Sequence, residues 1–197
     1  AMRAILADDG DTPAIEGFVG PSHVSTIIGS APYADFAAEH GKPVVIAGFE
    51  PLDVLAAVRM LVAQVNAGRA EVENEYTRAV TPEGNTKAQA LVDKVLEVRD
   101  SFEWRGLGSV PASGLRIRPE YAAFDAEHRF GLEMGRPREN AACICPSVLR
   151  GTARPTECTL FGTTCTPENP IGSCMVSSEG ACAAYYAYGA RREAKAV

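Results

Sequence analysis

Over residues 1–130, short apolar runs alternate with amphipathic stretches, the pattern of an α/β architecture. Ile15 to Val19 reads as a strand, followed by a turn at Gly20-Pro21-Ser22-His23 that leads into Val24 to Gly29. Val44-Val45-Ile46-Ala47 reads as a second short buried strand. A helix is expected to start at Pro51, because proline suits a first helical position where its missing N–H would be unpaired anyway. Leu52, Leu55, Val58, Val62 and Val65 recur at spacings of three and four and predict the inward face of that helix, with Gly68 as its stop. Ala70 to Val80 is expected to be extended before a turn at Pro82-Glu83-Gly84-Asn85. Thr86 then caps a further helix whose Ala88, Leu91, Val92, Val95 and Val98 face inward. Trp104 to Val110 supplies another strand, and Arg136-Pro137-Arg138 opens a polar boundary. Past Ala141 the periodicity ends, Pro and Gly become dense, and one last helix is expected from about Glu179 to Tyr188.

The division predicted is therefore a Rossmann-like parallel-sheet domain over 1–135 and a small, irregular, partly helical cysteine-rich domain over 136–197. The chain opens Ala1-Met2-Arg3-Ala4, in what reads as the middle of a helix, and is expected to be a fragment.

Composition narrows the function classes. Hydrophobic residues make up 46% and charged residues 22% of 197, ordinary globular usage. The net charge is −6 and the basic residues do not cluster beyond Arg191-Arg192, so nucleic acid is not an expected partner. No apolar run approaches the ~20 residues of a membrane-spanning helix, and no membrane role is expected. The phosphate-binding, dinucleotide-binding and zinc-protease signatures are all missing.

All six cysteines fall late in the chain, at positions 143, 145, 158, 165, 174 and 182. A segment this rich in turns buries little apolar surface and needs covalent or metal bonds to hold it. Three readings compete. Disulfides suit small secreted domains, but 142 cysteine-free residues precede this cluster, and that asymmetry fits a reducing, cytoplasmic setting better. Zinc sites favour paired knuckles with two to four residues between the thiols, whereas the only short gap here is one C-x-C. An iron–sulfur cluster takes thiolates from long, irregular spacings. Cys182 is placed in the first turn of the last helix, where free N–H groups and the helix dipole favour a thiolate.

Two further residues stand at strand ends, where open α/β sheets bind ligands. His23 follows the first strand and Glu50 the second, and their loops lie side by side if the strands are parallel neighbours. Each also has a plain structural reading, as a loop hydrogen-bonder and as a first-turn carboxylate facing the helix dipole.

Several motifs together resemble one family. These are Gly20-Pro21-Ser22-His23-Val24-Ser25, Gly48-Phe49-Glu50-Pro51-Leu52-Asp53, the stretch from Pro111-Ala112-Ser113-Gly114 to Asp125, and Glu157-Cys158 through Cys165-Thr166-Pro167-Glu168-Asn169-Pro170 to Cys182-Ala183-Ala184-Tyr185-Tyr186. Over nearly the whole chain the sequence resembles the HypD family of [NiFe]-hydrogenase maturation proteins. The resemblance implies a [4Fe-4S] cluster and a transient iron carrying carbon monoxide and cyanide, with His23 and Glu50 in the cleft where that Fe(CN)2CO moiety is built. It implies a HypC-type chaperone and a HypE-type cyanide donor as partners. The role implied is that of scaffold and electron relay rather than turnover enzyme.

The family's cluster pattern, with gaps of twelve, six and sixteen residues, falls on Cys145, Cys158, Cys165 and Cys182. Cys143 is the reserve for the first position, and Cys174 reads as a small buried residue. Pro146 departs from the glycine expected after the C-x-C. Relatives also carry a C-x-x-C redox pair and a further cysteine in their N-terminal half, and neither motif occurs here. Two other functions fit the same thiols. One is an iron–sulfur disulfide reductase with Cys143 and Cys174 as its pair; the other is a zinc-stapled interaction domain.

Overall fold

The computed structural model describes residues 2–7, 14–132 and 140–189. It is a mixed α/β protein. In chain order the elements are α1 (Met2–Leu6), β1 (Phe18–Gly20), α2 (Ser22–Ile28), α3 (Ala34–His40), β2 (Val44–Ile46), α4 (Pro51–Asn66), β3 (Val72–Asn74) and α5 (Thr86–Val95). Four short strands follow, β4 (Leu96–Val98), β5 (Ser101–Trp104), β6 (Gly108–Pro111) and β7 (Leu115–Ile117), and then α6 (Ala126–Phe130), α7 (Cys145–Leu149), α8 (Ser173–Val176) and α9 (Ala181–Tyr188). The described residues fall into two compact units, Ile15–Glu97 and the described parts of Ala1–Ala14 with Val98–Val197. The polar boundary expected at Arg136-Pro137-Arg138 lies outside the described residues.

The first unit is built on a parallel sheet ordered β1-β2-β3. Phe18 pairs with Val44 and Gly20 with Ile46, while Val44 pairs with Val72 and Ile46 with Asn74. The central strand is fully buried along its length, which is why it reads as an unbroken β-branched run rather than an alternation. Val45, Ala47 and Ala57 form its core, with Met60 and Leu61 packed against them. On another side Phe18 meets Phe36 edge-to-face at 5.3 Å. Gly29 and Gly84 sit at φ 81° and 69°, and their backbones approach so closely that a side chain on either would strike the other turn.

α4 has the expected bounds but not the expected face. Its buried residues are Asp53, Ala57 and Gln64, whereas Leu52 and Leu55 remain 77% and 65% exposed and Val58 and Val62 also face outward. Both stripes obey the helical period, so periodicity alone cannot choose between them. Small Ala57 lets the helix lie close on Val45. The two buried polar residues are stitched at either end: Glu71 N–H donates to Gln64 Oε1 at 2.9 Å, and Asp53 is paired as described below. Asp53 and the side-chain oxygen of Gln64 thus have partners on the inward face, while Gln64 Nε2 is buried there without one.

α5 is capped by Asn85 rather than Thr86, through Ala88 N–H donating to Asn85 Oδ1 at 3.0 Å. Its Leu91 and Val92 point outward, as does Val98, while Ala88 and Val95 are half-buried. The extended stretch expected over 70–80 shrinks to β3. The single strand expected over 104–110 is instead the hairpin β5–β6, antiparallel, with Trp104 opposite Gly108. Gly106 and Gly108, at φ 83° and 71°, supply the reversal. The last helix starts at Ala181, after Gly180, whose Cα abuts the Cys174 carbonyl.

Candidate functional site

Two places gather the chemistry, one in each unit. In the second unit, Cys143, Cys145, Cys158, Cys165 and Cys182 line one apolar recess, closed by Phe161, Met175 and Val148. Loops and short helices deliver them: Cys145 begins α7, Cys182 lies in the first turn of α9, and the bridges Phe161–Cys165 and Thr166–Asn169 tighten the intervening turns. Met175, Cys165 and Ala183 form the small core beneath. Gly172 presses on Cys143 Sγ, where a side chain would not fit.

The thiols are held in distinct ways. Ile171 N–H donates to Cys165 Sγ at 3.4 Å, and Cys158 Sγ faces the Ala142 carbonyl at 3.8 Å. Ser173 Oγ donates to the Arg105 carbonyl at 3.2 Å and lies 3.1 Å from Cys145 Sγ. A hydroxyl has one proton, and with that proton on Arg105, Cys145 S–H is the donor to Ser173. Cys174 does not line the recess; its thiol hydrogen-bonds Cys145, and that bond, with burial, pushes its pKa up. Arg105 returns a second link from the hairpin turn, donating from Nη2 to the Ile171 carbonyl at 2.7 Å.

The expectation that the helix dipole would favour the Cys182 thiolate is reversed. Burial, and then the neighbouring thiols Cys145, Cys165, Cys158 and Cys143, push Cys182 up to about 11. Burial likewise raises Cys143. An eight-residue helix contributes only a fraction of a charge, and several crowded sulfurs outweigh it. A cationic centre among the sulfurs would reverse this penalty, since metal binding deprotonates its thiol ligands. Among the described residues no three His, Cys, Asp or Glu side chains converge tightly enough for a single metal ion. The donors surround a common space instead, and their number and chemistry fit a thiolate-ligated cluster.

The second place is the carboxyl end of the parallel sheet. The loops after β1 and β2 lie side by side, as expected, and the loop after β3 joins them. Ser22 Oγ donates to the Ala47 carbonyl, tying the first two loops together. His23 is exposed, with its ring tilted on Phe49 at 4.4 Å. Phe49 in turn meets Tyr76 edge-to-face at 6.4 Å. Glu50 is exposed at the head of α4, its N–H donating to Asp53 Oδ2 at 3.2 Å. Arg78 binds Asp53 with both prongs, Nη1 to Oδ1 at 2.9 Å and Nη2 to Oδ2 at 2.5 Å, and lies 3.8 Å from Glu50 Oε2. That guanidinium holds the Asp53 carboxyl below the usual carboxylate range. Gly48 is obligatory, because a side chain there would collide with Asp53 and the Tyr76 ring.

Sequence reasoning singled out His23 and Glu50, which the structure places on neighbouring loops, but gave no sign of Tyr76, Arg78 and Ser173, which contact these loops or the thiols. Asp53 had a local signal, three residues after the cap of α4. Arg78 had none, since its partner is 25 residues away.

Comparison with known proteins agrees with these motifs. The chain is 63% identical over 98% of its length to "Hydrogenase expression/formation protein HupD" of Azotobacter chroococcum, of which it covers 52%. It is 64% identical over 93% of its length to "Hydrogenase maturation factor HypD" of Cupriavidus necator, covering 48% of that protein. A protein of Methanocaldococcus jannaschii described as "Putative hydrogenase expression/formation protein" is 47% identical over 88% of the chain. The chain thus spans about half the length of these curated relatives. The family profile "HypD: Hydrogenase formation hypA family" matches residues 1–189. With that profile and these relatives in agreement, the chain belongs to the HypD family.

Proposed function

We propose that the chain is the part of a hydrogenase maturation factor that carries a [4Fe-4S] cluster and one wall of the site where iron receives carbon monoxide and cyanide. The observation that carries this reading is the single recess lined by five thiols. When bound, the cluster supplies one-electron redox chemistry, its potential set by burial and by hydrogen bonds to sulfur. The protein's own contribution is to hold thiolates in a fixed, apolar shell. At the sheet end His23 and Glu50 position the iron substrate and handle its protons, with Fe(CN)2CO as the moiety delivered. A HypC-type chaperone and a HypE-type cyanide donor are the partners, the setting is cytoplasmic, and the role is that of a scaffold with redox function.

The family spacing assigns Cys145, Cys158, Cys165 and Cys182 as ligands with Cys143 in reserve. The hydrogen bonds of Cys145 to Ser173 and Cys174 favour the reserve. On that basis Cys143, Cys158, Cys165 and Cys182 hold the cluster, and Cys145 with Cys174 forms an adjacent dithiol. This second reading, a disulfide-exchanging pair beside a cluster, thus moves from Cys143 and Cys174 to Cys145 and Cys174. Anaerobic reconstitution of single variants tests the assignment. Cys143→Ser is expected to lose the broad visible absorption of the cluster and Cys145→Ser to keep it; the opposite result restores Cys145 as the ligand.

A further inference from the structure

We propose that Arg78 and Asp53 are positioning residues whose two-pronged ion pair fixes the Phe49–Glu50 loop and, through Phe49, the ring of His23. The proposal rests on the reading of His23 and Glu50 as working residues, while its geometry stands apart from that reading.

Asp53 lies in the first turn of α4 with its carboxylate almost wholly covered. A buried charge needs a full set of partners. Here the partners come from two different loops: both prongs of Arg78, after β3, and the N–H of Glu50, after β2. The same guanidinium lies 4.5 Å above the Tyr76 ring. Tyr76 and Phe49 meet edge-to-face, and Phe49 packs against His23, which follows β1. Each strand-end loop is therefore linked to the next, and the Arg78–Asp53 fork is the polar member that orients the rest. Lysine offers a point charge without the planar fork, so it would replace the charge and not the geometry.

Without the fork, the Asp53 carboxylate has to turn toward water and draw the head of α4 with it. Tyr76 then loses its seat against Phe49, and the His23 ring loses its partner. The β-sheet core is expected to stay in place, because Val45 packs in an apolar cluster with Ala47 and Ala57 while the polar partners of the pair lie in the loops.

The test is proton NMR of the intact chain, with His23 resonances assigned through His23→Gln and the ring-current displacement calibrated by Phe49→Leu. In Arg78→Gln the upfield displacement of the His23 ring protons is expected to fall by about half or more, with the amides of Val44 to Ile46 still protected. Arg78→Lys should recover only a minor part of it. The double variant Asp53→Asn with Arg78→Gln buries no unpaired charge, and it gives the same reading if a single variant fails to fold. An undiminished His23 displacement in folded Arg78→Gln or in the double variant would overturn the proposal, and so would full recovery with lysine. Failure of the functional reading looks different: hydrogenase maturation would survive His23→Gln and Glu50→Gln while the ring-current result stood.

Discussion

The two units are held together by different means. In the sheet unit, three consecutive β-branched residues of β2 are entirely removed from water, and one small alanine lets a sixteen-residue helix lie against them. In the cysteine unit the helices are four to eight residues long, and the core beneath the thiols is Met175, Cys165 and Ala183 with a few half-buried neighbours. Burial of apolar area at about 25 cal/mol per Å² stabilises the first arrangement and leaves the second short. Burial and crowding raise the Cys182 and Cys143 thiols, so these groups stay protonated and neutral near neutral pH, and a folded-state cost from them arises only above the ordinary thiol range. One unit is thus held by burial of apolar surface, whereas the other, with its small core, is the one whose stability would depend on the proposed cluster.

The largest expected effect separates the two on this ground. Iron chelation under reducing conditions should lower amide protection of α9 by on the order of a thousandfold, with β2 unchanged, when followed by hydrogen exchange. Equal loss in both units would break the distinction. Next in size, Ile46→Ala should cost the sheet unit about 3 kcal/mol in denaturant melts and leave cluster absorption intact.

A smaller, pH-dependent effect belongs to Asp53. Its folded pKa is depressed by Arg78, so its contribution is complete above the unfolded value of about 4 and is lost as pH falls through the folded value. Wild type should therefore be more stable than Asp53→Asn at neutral pH, the two converging in acid as Asp53 protonates. The smallest effect is at Leu55, where replacement by Gln should change stability by less than about 0.5 kcal/mol, because the side chain already faces outward.

What was legible in the sequence follows from range. The run Val44-Val45-Ile46 announced a short buried strand by composition alone, and the bounds of α4 were marked by Pro51 and Gly68. Side-by-side placement of the His23 and Glu50 loops followed once the strands were parallel neighbours. Which stripe of α4 faces the sheet did not, because the inward stripe carries polar Asp53 and Gln64, and the Arg78 and Glu71 groups that pair with Asp53 and with Gln64 Oε1 lie well along the chain. The hairpin was read as one strand because its reversal rests on the backbone freedom of Gly106 and Gly108, which interrupts no apolar pattern. For the thiols, the family spacing pointed to Cys145 with Cys143 in reserve, and it carried no sign of how the two are held. What sets Cys145 apart in the structure is its contact with Ser173 and Cys174, about thirty residues further along the chain, and the proposed choice of Cys143 rests on that.

The central claim is most directly tested by iron and acid-labile sulfide analysis of the chain purified without oxygen. The account predicts about four of each per chain. About one zinc, with neither iron nor sulfide, would contradict it.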